Sequence, residues 1–170
     1  MKEQTDIHRH TIAVLVDNEF GVLARVVGLF SGRGYNIESL TVAKVDDAEN
    51  LSRITIVTTG TQMVIAQIKA QLERLVPVHK ISDLTVDGPS VEREMALIKV
   101  EAKKDSRLEA LRVADIFRAR TVDVAEDSLI FEVTGAREKV KAFIGQLGPL
   151  GRTEVCRTGV VAVKRGKDTI

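Results

Sequence analysis

The chain has 170 residues, 44% of them apolar and 29% charged, with 25 basic side chains against 24 acidic ones and a formal net charge of +1. That length fits one large domain or two small ones, and a charge so near zero excludes a global field that would draw the chain to nucleic acid or an anionic membrane. Apolar runs such as Ile12–Val16 are too short to cross a bilayer, the first residues lack the apolar core of a signal peptide, and the single cysteine, Cys156, forms no internal disulfide; together these point to the cytoplasm.

The first half reads as strand, helix, strand, strand, helix, strand. Thr11–Asp17 is dense in Ile, Val and Leu, which suits a buried strand. Val22–Arg33 carries Leu23, Val26, Val27 and Phe30 at the spacing of an amphipathic helix, and the glycines at Gly32 and Gly34 stop it. Ile37–Val45 and Ser52–Thr59 flank a polar stretch, Asp46 to Asn50, and form a hairpin. Thr61–Val76 places Ile65, Ile68, Leu72 and Leu75 on one face of a second helix, which Pro77 ends. Val78–Val86 is the fourth strand.

Asp87-Gly88-Pro89-Ser90 is turn chemistry and marks a domain boundary. The pattern then returns: strand Met95–Ala102, helix Ser106–Phe117 with Leu108, Leu111 and Phe117 inward, hairpin Arg120–Ala125 and Ser128–Thr134, helix Ala136–Leu147, strand Thr153–Val163. Equivalent elements recur about 75–85 residues apart. The expected fold is α+β, two ferredoxin-like βαββαβ units in tandem, spanning 10–87 and 93–166. Each unit leaves one sheet face bare. The run Ile12–Val16, apolar at every position, implies burial on both faces, and from this a homodimer is expected.

Chemistry concentrates in the loop Asp17-Asn18-Glu19-Phe20-Gly21-Val22-Leu23. It opens the first helix, whose N-terminus offers free N–H groups and positive partial charge to a carboxylate. Gly21 lets a ligand approach the backbone, and Asn18 offers both a donor and an acceptor, the mixture an α-amino acid needs. On pattern alone the plainer reading stays open: Asn18 caps the helix, Gly21 eases a turn, and Asn36 is a turn residue. The corresponding loop of the second half, Lys103-Lys104-Asp105-Ser106, has neither Gly nor Asn, so the first half is the specialised one.

Asn18-x-x-Gly21-x-Leu23, followed by Arg33-Gly34-Tyr35-Asn36-Ile37-Glu38-Ser39-Leu40, resembles the ACT-domain regulatory subunits of acetohydroxyacid synthase, also called acetolactate synthase small subunits. Leu51-Ser52-Arg53, Val91-Glu92-Arg93-Glu94, Asp115-Ile116-Phe117-Arg118 and Arg157-Thr158-Gly159-Val160 extend the resemblance from about Thr11 to Gly166. The resemblance implies a non-catalytic subunit that dimerises through N-terminal ACT domains and binds valine, or in some members leucine or isoleucine, for feedback inhibition. By position, Asn18, Gly21 and the N–H groups of Val22 and Leu23 would hold the amino acid on one protomer. Asn36 of the other protomer would complete the site, with Ala43 nearby. It further implies that thiamine diphosphate, Mg and FAD sit on the catalytic partner, with no cofactor here. Phe20, where a small residue is commoner, and the hairpin Asp46–Asn50, without the usual proline, depart from the family pattern.

Other classes fit less well. His8 and His10 lie in an N-terminal stretch that reads as a mobile tail, His79 sits at a strand start, and no nucleophile elbow, phosphate loop or dinucleotide fingerprint occurs. Cys156 reads as a small buried residue. An RNA-reading sheet would need stacking aromatics on its strands, and the chain has no Trp and one Tyr. The remaining competitor is a free-standing ACT-domain amino-acid sensor or transcriptional co-regulator, without a helix for direct DNA contact.

Overall fold

The computed structural model describes residues 6–46, 48–103 and 105–170. The chain forms two compact units: unit 1 comprises residues up to Val91 together with Val160–Ile170, and unit 2 comprises Glu92–Gly159. In unit 1, β1 (His8–Asp17), α1 (Val22–Ser31), β2 (Ser39–Asp46), β3 (Leu51–Gly60), α2 (Gln62–Leu72) and β4 (Val78–Asp83) follow the expected order. The antiparallel sheet runs β2-β3-β1-β4. Ile12, Val14 and Val16 of β1 and Ile54 and Ile56 of β3 pack against Val22, Val26 and Phe30 of α1 and Ile65, Ile68 and Leu72 of α2.

Several boundaries moved, three of them for identifiable reasons. β1 starts at His8 rather than Thr11, because His8, Arg9 and His10 pair with Gly60, Thr59 and Thr58. β4 stops at Asp83 rather than Val86, because Asp87 folds back and accepts from Asp83 N–H at 2.8 Å and from Ser82 Oγ at 3.0 Å. The strand expected over Thr153–Val163 is divided into β8 (Arg152–Arg157) and β9 (Val161–Lys164), with Gly159 between them at φ +84°.

That division changes what covers the first sheet. The segment from Val160 to the C-terminus returns to unit 1 and lies on the sheet face opposite the helices. Val160 N–H donates to Ser39 Oγ (2.9 Å), Thr41 Oγ1 donates to Val160 O (2.8 Å), Arg53 donates to Ala162 O (2.6 Å), and Lys80 Nζ donates to Thr169 O (2.7 Å). Ala13, Leu84 and Ala162 form a small buried cluster with Ile170 against it. Burial of β1 on both faces was expected to reflect a second copy of the chain; the chain's own C-terminal segment supplies much of it. Burial also lowers the Arg53 pKa by desolvation, and the side chain stays charged, its guanidinium donating to a strand carbonyl.

Unit 2 repeats the plan with β5 (Ser90–Glu101), α3 (Asp105–Phe117), β6 (Arg120–Val124), β7 (Leu129–Gly135), α4 (Arg137–Leu147), a 3-10 turn (Gly148–Leu150) and β8, in the sheet order β6-β7-β5-β8. Its core is Ile98, Val100, Leu129, Phe131, Phe143 and Leu147 with the small residues Ala110 and Ala114. α3 turns Ala110, Val113 and Ala114 inward, with Leu111 and Phe117 half-buried, and leaves Leu108 exposed, contrary to the sequence expectation. Leu111 and Phe117 pack against the core as expected, and Ala110, Val113 and Ala114 complete the inward stripe in place of Leu108.

Candidate functional site

The N-terminus of α1 is formed by Gly21, at φ +83° and ψ −8°. A Cβ at Gly21 would meet nothing within 4 Å, so the left-handed conformation, not crowding, is what calls for glycine. No side chain caps this helix and no acidic residue lies in its first turn. Val22 N–H reaches Glu19 O only at 3.5 Å. The other three α-helices are compensated: Thr61 caps α2, and Asp105 and Glu138 stand in the first turns of α3 and α4. The positive end of α1 is therefore the one left with neither a side-chain cap nor an acidic residue.

Asn18 does not cap α1, so the plainer reading of that residue fails. Its N–H donates to Asn50 O (2.8 Å), its Nδ2 donates to Asn50 Oδ1 (3.4 Å), and its Oδ1 accepts from Ser52 Oγ (3.0 Å). Asn50 Nδ2 returns a bond to Asn18 O at 3.2 Å. The amide is thus held in one orientation and keeps one donor hydrogen and one lone pair available. Asn50 and Ser52 are positioning residues the sequence reading passed over. Asn50 sits at φ +52°, a backbone that asparagine tolerates better than most residues, so its place at the hairpin corner was the available signal.

The Arg33–Asn36 stretch has a structural cause. Gly34 takes φ +71°; its N–H donates to Ser31 O, and Tyr35 N–H donates to Phe30 O at 2.9 Å. These are the paired bonds of a left-handed helix C-cap, and the Tyr35 ring seals it edge-on against Phe30, with centroids 6.2 Å apart. The cap delivers Asn36 to the exposed start of the β2 segment, where its carbonyl accepts from Thr58 Oγ1 (2.6 Å).

Asn18 and Asn36 do not meet within the chain. Asn18 is tied to Ser52 near the beginning of β3, and Asn36 to Thr58 near its end. Six strand residues at about 3.3 Å each put them about 20 Å apart along the sheet, well beyond the reach of one amino acid. Ala43 pairs with Arg53 on the face that the C-terminal segment occupies, away from α1. The structure brings together Asn18, Gly21, Val22 and Leu23 and separates them from Asn36 and Ala43.

The remaining chemistry-bearing side chains are otherwise engaged. His10 lies in β1, buried, with Nδ1 2.7 Å from Asp83 Oδ2, and not in a tail. His79 Nε2 is 2.6 Å from Asp17 Oδ1. Cys156 is exposed on β8 rather than buried. Among the described residues no group of three His, Cys, Asp or Glu side chains is placed to hold a metal, and no helix is long and apolar enough to cross a membrane.

Two βαββαβ units in tandem, the first with an open glycine-bearing helix entrance, define an ACT-type regulatory architecture. Residues 12–80 match the AHAS small subunit-like ACT domain, and residues 93–166 match the family described as the small subunit of acetolactate synthase. A probable acetolactate synthase small subunit from Archaeoglobus fulgidus is 51% identical over 158 residues, covering 93% of this chain and 98% of that protein. The acetolactate synthase isozyme 3 small subunit of Escherichia coli is 45% identical, covering 93% and 96%. The crystal structure of the small subunit from Thermotoga maritima superposes with a TM-score of 0.83 at 40% identity, covering 95% of this chain and 99% of that one. The chain belongs to the acetolactate synthase small-subunit family.

Proposed function

We propose that the chain is the feedback sensor of an acetohydroxyacid synthase: a homodimer that binds valine, or leucine or isoleucine, between two ACT units and inhibits and stimulates a separate catalytic subunit. The observation that carries this reading is the division of the site. The α1 entrance offers N–H groups and a positive helix end for a carboxylate, and the fixed Asn18 amide offers a further donor and acceptor. Asn36, about 20 Å away on the same chain, can share one amino acid with them only if it comes from a second copy. The edge strand β2 and the exposed side chains of Leu23, Val42 and Val45 supply a surface for that copy. Thiamine diphosphate, Mg and FAD belong on this reading to the catalytic partner. Ala43, set on the other sheet face, is no more than peripheral to such a site.

Mixed dimers test the division. Gly21→Asp places a carboxylate against the ligand carboxylate, and Asn36→His removes the contribution of the second copy; each homodimer is expected to lose valine binding. Co-refolding the two variants in equal amounts should restore about a quarter of the wild-type sites, because half the dimers then carry one intact site of two. Gly21→Asn, which keeps a residue tolerant of positive φ without adding charge, serves as the control for the backbone. No recovery in the mixture, with both variants folded, would contradict a site shared between protomers.

A further inference from the structure

Within their spans the two helices of unit 1 carry Arg25 and Lys69 as their charged residues, and Glu73 is the first residue beyond α2. α1 and α2 contain no Asp or Glu within their spans, whereas α3 contains Asp105, Glu109 and Asp115 and α4 contains Glu138. Arg25 and Leu29 of α1, Arg33 just beyond it, and Gln71, Arg74 and Leu75 at the end of α2 surround a cavity of about 450 Å³. The three arginines are exposed and the two leucines half-buried. Among the described residues none of these three guanidiniums has an ion pair or a side-chain hydrogen bond. Three other arginines pair with the chain's own carboxylates, Arg112 with Glu109, Arg120 with Glu132 and Arg157 with Glu94, and Arg53 and Arg107 donate to backbone carbonyls. A merely solvated helix face intersperses both signs. Three like charges around an apolar floor, none of them ion-paired, repel one another and gain when an anionic group enters.

We propose that this α1–α2 face is the surface on which the catalytic subunit docks, and that the partner presents carboxylate side chains with an apolar residue between them. The proposal rests on the family reading, which supplies the partner. Arginine and large apolar residues around a recess are the composition of an interface centre, and guanidinium forks match carboxylates in pairs. The placement also connects sensing to output. Arg25 lies one helical turn after Gly21, and Leu29 and Arg33 follow at the same spacing, so one helix carries the proposed effector contacts at its entrance and the partner contacts along its outer face. A ligand that favours one seating of α1 would change the affinity or geometry of docking through that helix.

The test is the affinity of the full-length chain for its cognate catalytic subunit, measured at low and high salt. The Arg25→Glu, Arg74→Glu double variant is expected to bind at least about tenfold more weakly and to lose most of the salt dependence. Arg25→Gln, Arg74→Gln should fall between it and the parent. Lys141→Glu, an exposed reversal on α4, should stay within about twofold of the parent, and valine titration of each isolated variant should match the parent, which certifies the fold. Unchanged affinity in the double reversal, an equal loss in Lys141→Glu, or no complex with the parent chain would overturn the proposal. So would saturable binding of inorganic phosphate at these arginines with docking unaffected, since the face would then be a small-anion site. Failure of the effector site would appear separately, as absence of valine binding to the unaltered chain.

Discussion

The two units share their order of elements and part company at the entrance of one helix and on one face of one sheet. The exits of α1 and α3 are the same device. In unit 2, Ala119 N–H donates to Ala114 O (2.8 Å) and Arg118 N–H donates to Asp115 O (3.0 Å), repeating the bonds that Tyr35 and Gly34 make in unit 1. The left-handed position is Gly34 in the first and Arg118, at φ +54°, in the second. The entrances differ. α1 opens on Gly21 with no cap and no acid, and Asn18 is held aside by Asn50 and Ser52; α3 opens on Asp105, with Ser106 Oγ bonded to the Lys103 backbone. A fold common to both units explains the shared exit. The entrance with neither cap nor acid belongs to unit 1 alone.

The sheets make the second contrast, and breaking it gives the largest expected effect. The unit 1 sheet is covered on its outer face by Val160–Ile170, through at least four hydrogen bonds and a small apolar cluster. Ending the chain at Gly159 should cost unit 1 about 3–5 kcal/mol, at about 1 kcal/mol per hydrogen bond plus the lost burial. Urea denaturation followed by hydrogen exchange in each unit would show this, and equal protection of β1 with and without the segment would contradict it. Asn36→His comes next: it should weaken valine binding by about 100-fold, or roughly 2.7 kcal/mol, with the melting curve little changed. Retained affinity at calorimetric precision would remove Asn36 from the site.

The helix exits give the smaller effects, of opposite sign. Gly34→Ala forces a side chain into the left-handed region and should cost about 1–2 kcal/mol, read as a lower denaturation midpoint. Arg118→Gly should raise stability by about 0.5–1 kcal/mol, relief of the same strain offset by the greater freedom of glycine in the unfolded chain. Two changes of the same sign would mean that the exits are not equivalent.

Most of the architecture was legible in the sequence because it rests on local periodicity: the helical stripes at Val26 and Phe30 or Val140 and Phe143, the turn residues at Gly34, and the helix stop at Pro77. What escaped reading depends on pairings across long separations. Nothing local to Val160 announces that it returns to Ser39 and Thr41, so the β1 run was credited to a second copy and Cys156 to a core. On α3 only Leu108 reads wrongly, because it outranks Ala110 and Ala114 in hydrophobicity, while the core takes the small residues. At the site, the asymmetry between the loops at Asn18 and Lys103 was visible in the sequence. The partners that fix Asn18, Asn50 and Ser52, lie 32 and 34 residues away and were not.

The central claim is that the open entrance of α1 receives an amino acid. Calorimetric titration of the purified chain with valine, leucine and isoleucine, and with lysine as the control, tests it most directly. The account predicts saturable valine binding at about one site per protomer or fewer, absent with lysine and abolished by Gly21→Asp. No heat from any aliphatic amino acid, in a chain that sediments as a dimer and is fully folded, would contradict it.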